Sequence, residues 1–294
     1  MRVFVTGASG WIGSTVTAEL LAHGHQVLGL ARSEDSAKKL EELGADVHRG
    51  DLDDLASLRA GAEHAEGVIH LGYNHDFSDM PGAARTDLAA VTAFGKVLRA
   101  GQPLLIASGV AGLNPGKVAT ETDVPDVASH PRIASAALAN EIGEQKGVRT
   151  GILRFAPTVH GEGDGGFIAF IAACAREHGV SPYIGDGANR WPAVHVADAA
   201  TLVRLTLEQA EPGTIVHAVA EEGVTTKSIA EAIGRRLDLP VASISREAAP
   251  EHFSWMAMFF GGAFPTANAI TRERFGWTPT HPTLLDDIDA GHYT

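Results

Sequence analysis

The run Thr6-Gly7-Ala8-Ser9-Gly10-Trp11-Ile12-Gly13 sets glycines at positions 7, 10 and 13. Each has its own task. Gly7 permits a tight turn, Gly10 lets the backbone approach a pyrophosphate, and Gly13 lets the following helix pack closely on a strand. The free N–H groups at that helix start, at the positive end of its dipole, suit phosphate oxygens. Such a run alone is weak, but Val3-Phe4-Val5 precedes it as a buried strand. Ile12, Val16, Leu20 and Leu21 follow at helical spacing, and Gly24 stops the helix. In that context the motif reads as a dinucleotide-binding loop.

The end of the next strand selects the cofactor. An acidic residue there grips the ribose 2′-hydroxyl of NAD, and a basic one accommodates the 2′-phosphate of NADP. Here the sequence is Ala31-Arg32-Ser33. Arg32 pairs well with a phosphate and Ser33 can donate to it, so NADP is expected to be preferred, with NAD as the alternative. Glu34 and Asp35 follow and oppose that preference, and Arg32 as a solvated surface charge is the bland reading. Asp51-Leu52 is placed to meet the adenine, although Asp51 equally suits a cap for the helix starting near Asp54.

Four residues have types suited to reacting with a carbonyl. Ser108 ends the apolar run Pro103–Ala107 and can donate to a carbonyl oxygen. Arg132 stays charged and can stabilise an oxyanion, but cannot give up a proton. His130 has a pKa suited to proton transfer. Tyr73, in Gly72-Tyr73-Asn74-His75, follows another apolar run. The alternatives stay open: His130 as a helix cap between Ser129 and Pro131, Arg132 in a surface ion pair, Tyr73 as aromatic lining. Other chemistry is excluded. There is no His-Glu-x-x-His zinc pair, no Gly-x-Ser-x-Gly elbow, and Val118 stands where a phosphate loop ending at Lys117 needs Ser or Thr.

These groups must be held by alternating elements. The apolar patterns predict strands at 26–30, 46–48, 67–71, 103–107 and 150–154. Helices are expected at 36–43, 54–61, 84–100 and 129–146. That order predicts an α/β fold with a doubly wound parallel Rossmann sheet, binding ligands at the carboxyl ends of its strands. After Arg154, Pro157 and the glycines of 161–166 and 185–187 loosen the pattern. The expected division is a dinucleotide domain at 1–155, rejoined by about 186–220, and a smaller C-terminal substrate-binding lobe from 156–185 and 221–294. The Phe-, Trp- and Met-rich stretch 252–264 reads as a helix against the core or at a dimer contact.

The net charge of −13 argues against nucleic acid and anionic membrane as partners. A small-molecule substrate is expected, and a homodimer is left open. Cys174 is the only cysteine, which fits a reducing compartment and a cytoplasmic location. Residues 2–7 do not read as a signal core, and no apolar run reaches spanning length.

Together these motifs resemble the extended branch of the short-chain dehydrogenase/reductase superfamily, across nearly the whole chain. The loop Thr6–Gly13 matches its cofactor turn, and Gly50-Asp51-Leu52 its adenine-contacting segment. His70-Leu71-Gly72 resembles the strand beside the cofactor ribose. The stretch Leu153–Gly161, with Phe155, Pro157 and Val159, resembles the loop that touches the nicotinamide. The stretch Asn189–Ala200 resembles the late segment that rejoins the cofactor domain, and Phe275-Gly276-Trp277-Thr278-Pro279 the C-terminal signature. Ser108 matches the substrate-orienting serine.

The family's Tyr-x-x-x-Lys pair is absent. An ungapped count back from Arg154 puts Ala128 and Arg132 in its slots, and a one-turn deletion puts Arg132 and Ala136 there. The chain resembles an atypical subgroup with basic residues in place of the tyrosine motif. The resemblance implies an NADPH-dependent reductase of a carbonyl or related small organic group, with a non-standard proton donor. The alternative is a non-catalytic NADP(H)-binding sensor or regulatory protein.

Overall fold

In the strands of the first 155 residues, successive side chains point to opposite faces, and both faces are apolar. The computed structural model describes residues 1–74, 79–125 and 132–293. It places β1 (Arg2–Thr6), α1 (Trp11–Ala22), β2 (Gln26–Ala31), α2 (Glu34–Leu43), β3 (Asp46–Arg49) and α3 (Leu55–Glu63) in the first half. There follow β4 (Gly67–His70), α4 (Met80–Val97), β5 (Pro103–Gly109), α5 (Ile133–Lys146) and β6 (Arg149–Phe155). The large sheet has seven strands in the order β10-β6-β5-β4-β1-β2-β3, with β10 (Thr214–Ala218) returning as one edge. All its pairings are parallel.

Val3 and Val5 face one side of this sheet and pack with Val16, Leu20 and Leu40 of α1 and α2, and with α7 (Val196–Gln209). Phe4 faces the other side, with Leu58, Val91, Phe94 and Ile142 of α3, α4 and α5. The result is a helix–sheet–helix sandwich. Its chain order reverses between β1 and β4, which opens a crevice at their carboxyl ends.

The remaining elements form a second core. They are β7 (Thr158–His160), α6 (Phe167–His178), β8 (Ser181–Ile184), β9 (Arg190–His195), β11 (Glu221–Thr225), α8 (Thr226–Leu237) and β12 (Val241–Ile244), then α9 (Ala249–Phe253), α10 (Ala257–Phe260) and α12 (Leu284–Ala290), whereas α11 (Ala269–Phe275) packs on α7 and β10 with Phe275 in the core of the large sheet. The strands pair as β11-β9-β7 and as β12-β8. Trp191, Phe253, Phe260 and Ile288 are buried together here. The C-terminus is pinned by a 2.6 Å bond between His160 Nδ1 and Asp287 and by Tyr293 donating to Asp164 at 3.0 Å.

Two elements differ from expectation. The helix expected from Ala84 begins at Met80, because Pro81 occupies the first turn, where an N–H is not needed, and Asp79 caps it by accepting from Gly82 N at 2.9 Å. It stops at Val97 rather than Ala100. The stretch 252–264 is broken rather than one helix, since Ser254 takes a left-handed φ of 50° between α9 and a single 3-10 turn. Among the described residues no helix is long and apolar enough to cross a membrane.

Candidate active site

The glycine loop leaves β1 at Thr6 and enters α1 at Trp11. Gly7 has φ of 69°, and a Cβ there would lie 2.7 Å from Gly72 N. A Cβ on Gly13 would fall 1.9 Å from Gly7 O, so the helix can sit this low only on glycine. Gly10 is different: its Cβ would meet only Gly7 O, at 3.2 Å. The protein leaves the space above Gly10 open, and that cradle fits a pyrophosphate. Gly10 caps α1 without a side-chain bond, and no acidic residue stands in the first turn to compete with phosphate. Ser9 and Ile12 are half-buried beside the turn. Trp11 Nε1 donates to Val159 O at 2.7 Å, which fastens the loop to β7, just past Phe155 and Pro157. Leu52 lies against Gly72 on the far side.

At the end of β2 the Arg32 side chain is 82% exposed, with Nε 3.7 Å from Asp51 Oδ2. Ser33 caps α2, its hydroxyl accepting from Ser36 N at 3.2 Å. Asp54, not Asp51, caps α3 through Ala56 N and Ser57 N. Asp51 instead braces the turn by accepting from Asp53 N.

The carboxyl ends of β4 and β5 carry the second group of residues. Arg132, where α5 begins, donates from Nη2 to Ala107 O at 3.0 Å, beside Ser108. Its guanidinium lies 4.1 Å from the centroid of the Tyr73 ring. Leu71 and Gly72 lead into Tyr73, with Leu71 N donating to Thr6 O at 3.2 Å. Arg132 is therefore built into the sheet edge instead of forming a surface ion pair. Burial pushes the Tyr73 phenol up and nearby Asp87 adds to this, while Arg132 pulls it down. Burial pushes the Arg132 guanidinium down, against the opposing charges of Asp87 and Tyr73. His130 and Ala128 lie outside the described residues.

Beyond the loop 153–161 stands a wall of aromatic rings. Buried Trp191 donates to Thr158 Oγ1 at 2.7 Å, next to Pro157. Its ring meets Phe167, which stacks on Phe259 at 5.9 Å and meets Trp255 at 6.0 Å. Trp255 is 40% exposed and Met258 76% exposed at the outer end.

A cradle for a pyrophosphate at a sheet's switch point, flanked by groups able to polarise a carbonyl, is the arrangement on which comparison with known proteins bears. The profile of the NAD dependent epimerase/dehydratase family matches residues 3–220. The chain belongs to that family. Among full-length relatives of this family member are the uncharacterized proteins C2A9.02 of Schizosaccharomyces pombe, 44% identical over 100% of both chains, and YLL056C of Saccharomyces cerevisiae, 41% identical over 99% of both. A 3-diazoavenalumate denitrifying reductase from a Streptomyces species is 27% identical, covering 98% of this chain and 99% of that one. The fold is shared with the crystal structure of gox2253, at TM-score 0.79, 18% identity and coverage of 98% and 96%. It is shared as well with a Thermus thermophilus UDP-glucose 4-epimerase in complex with NAD, at TM-score 0.75, 20% identity and coverage of 99% and 98%. The family member is thus an oxidoreductase in the general sense, built to use a nicotinamide dinucleotide.

Sequence reasoning missed two site residues, His70 as a polar side chain and Asp87 altogether. Asp87 sits in the buried stripe of α4 with Ala83, Ala84, Ala90, Val91 and Phe94. A lone carboxylate at helical spacing among apolar residues is the signal that marks it. His195, by contrast, accepts from Ala197 N at 3.2 Å and caps α7.

Proposed function

We propose that the protein is an NADPH-dependent reductase that adds hydride to a carbonyl or related group on a small, flat, apolar molecule. The observation that carries this reading is Arg132 stacked on Tyr73 and tied to the end of β5 beside Ser108. Bound NADPH supplies the hydride. Ser108 orients the acceptor oxygen by donating to it, and Arg132 stabilises the negative charge that grows there. Tyr73 keeps its proton at neutral pH as any phenol does, burial raising its pKa further, and Arg132 over the ring favours the phenolate once that proton has gone to the substrate oxygen. His130 is the second candidate donor.

The NADPH preference rests on Arg32 and Ser33. Arg32 has a competitor in Asp51, but an exposed pair is worth only about 0–1 kcal/mol. A 2′-phosphate offers the guanidinium a bidentate partner of about −1.5 to −2 charge, where Asp51 offers one carboxylate oxygen at 3.7 Å. The substrate class is supported by the wall from Trp191 to Trp255 and by the relative from Streptomyces, a reductase by name. An acidic chain in a reducing cytoplasm suits such a small-molecule role.

The missing Tyr-x-x-x-Lys pair favours a second reading, a dinucleotide-binding sensor without turnover. A panel of aldehydes, ketones and imines with NADPH, followed by nicotinamide absorbance, separates the two. Oxidation of NADPH with any of them, lowered about 100- to 1000-fold by Ser108→Ala or Arg132→Ala with NADPH affinity intact, is the expected result. Tight NADPH binding with no oxidation across the panel supports the sensor.

A further inference from the structure

Trp11 opens α1 directly behind Gly10, so its position sets where the first N–H groups of that helix point. The indole is held on two sides. Its Nε1 donates to Val159 O of β7 at 2.7 Å. Its six-membered edge lies against loop 161–166: a Cβ added to Gly161 would come within 3.5 Å of Trp11 Cη2, and one added to Gly163 within 3.8 Å of Cζ3. Both holders are fastened in turn by α12 and the turn after it. Next to Val159 on β7, the buried His160 donates from Nδ1 to Asp287 Oδ2 at 2.6 Å. In the loop, Asp164 N donates to Gly161 O at 3.1 Å, and the Asp164 carboxylate accepts from Gly166 N at 2.7 Å and from the Tyr293 hydroxyl at 3.0 Å. Arg176 of α6 donates to Tyr293 O at 3.0 Å and secures that end. Asp287 lies between Leu284 and Ile288 on the buried face of α12, where a carboxylate is costly without partners. Besides His160 it faces His292 Nδ1 at 3.5 Å and His195 Nε2 at 4.0 Å.

We propose that Asp287 and Tyr293 are positioning residues for the dinucleotide: from the far side of β7 and loop 161–166 they clamp Trp11, and through it the N–H groups that face the cradle. Val159 packs in the core of the large sheet, whereas Leu284 and Ile288 of α12 pack in the second core. Strand β7 is therefore the piece through which the second core reaches the cradle. A clamped indole is already ordered when a dinucleotide arrives. Released, it must be ordered on binding, and immobilising one such side chain costs the equivalent of about two- to tenfold in affinity. The clamp requires the cradle above Gly10 and depends on neither the substrate nor the choice between NADPH and NADH.

Calorimetric titration of NADPH and NADH into Asp287→Ala, Trp11→Ala and the double variant tests this. Asp287→Ala should raise both Kd values about two- to tenfold. Trp11→Ala, which leaves no ring to clamp, should weaken binding at least as much, and the double variant should bind no more weakly than Trp11→Ala alone. Losses that multiply, or a lowered Tm with unchanged Kd values, overturn the proposal. Should Asp287→Ala not fold, Tyr293→Phe takes its place, removing only the hydroxyl that holds Asp164. The free protein gives a second readout by NMR. The indole N–H of Trp11, assigned by its loss in Trp11→Ala, should exchange with solvent slowly in the wild type and about tenfold faster in Asp287→Ala. Should the wild type bind neither dinucleotide, the cradle reading fails, and the indole exchange alone decides whether Asp287 holds Trp11. Unchanged exchange overturns the proposal.

Discussion

Gly10→Ala and Gly13→Ala should separate cofactor binding from folding. At Gly13 an added Cβ would sit 1.9 Å from Gly7 O, more than 1 Å inside the 3.0 Å that real Cβ atoms respect. The obstacle is backbone, so α1 must lift from the sheet. Overpacking of this kind costs about 1–3 kcal/mol, occasionally more. At Gly10 the backbone has φ −79° and ψ 179°, ordinary extended values, and the sole contact is at 3.2 Å. An alanine that fits its backbone stabilises by about 0.4–1 kcal/mol through the unfolded chain, which offsets that contact. Gly10→Ala should thus leave the free protein within about 1 kcal/mol of wild type, a Tm shift of at most about 4 °C. Its methyl stands where the pyrophosphate belongs. Losing one N–H to phosphate bond, worth about 1.5–3 kcal/mol, weakens binding by about 10- to 100-fold. Urea melts and calorimetric titration with NADPH check both halves. Wild-type NADPH affinity in Gly10→Ala would refute this placement of the cofactor, and an unshifted Gly13→Ala would refute the packing argument.

Arg32→Ala should lower NADPH affinity about tenfold and leave NADH unchanged, measured by calorimetry; an unaltered preference would make Arg32 a plain surface charge. Trp255→Ala should raise KM about three- to tenfold for substrates with an aromatic ring and leave short aliphatic ones unchanged in the same absorbance assay. His217 is fully buried, accepts from Arg154 Nη1 at 3.4 Å and donates from Nδ1 to Ala267 O at 2.8 Å. Burial and Arg154 hold its pKa below the ordinary histidine value. Its folded state therefore favours the neutral ring. The stability this gives is present above the unfolded pKa of about 6.5 and is lost as pH falls through the folded value. Urea midpoints from pH 7.5 down to about 5 should fall in the wild type and fall less in His217→Asn; equal slopes would rule this histidine out as the source.

Much of the first half of the molecule was legible in the sequence because its signals are local. A glycine's need for space and the alternation of apolar runs with helical spacing both act over a few residues, so β1, the loop and α1 stand where Thr6–Gly13 predicts. The start of α4 was misjudged because Pro81 and Gly82 look like breakers, and only the Asp79 cap turns them into a first turn. The break at Ser254 has no residue pattern that announces a left-handed backbone, so 252–264 read as one helix.

The proposed catalytic group lies at the limit of what local pattern conveys. Ser108 was visible because it ends a strand, but the place of Arg132 depends on the length of the 110–131 connection, which no periodicity fixes. The sequence by itself determined a dinucleotide cradle on a parallel sheet, since glycines 7, 10 and 13 allow little else at that spacing. Only the tertiary structure decided that Thr6, His70 and Asp87 form one connected group. Register sets Thr6 opposite His70, and the packing of α4 on that sheet face brings Asp87 to His70. Residues so far apart in the chain meet because the strand order reverses between β1 and β4, and a contact across that reversal leaves no trace in spacing or composition.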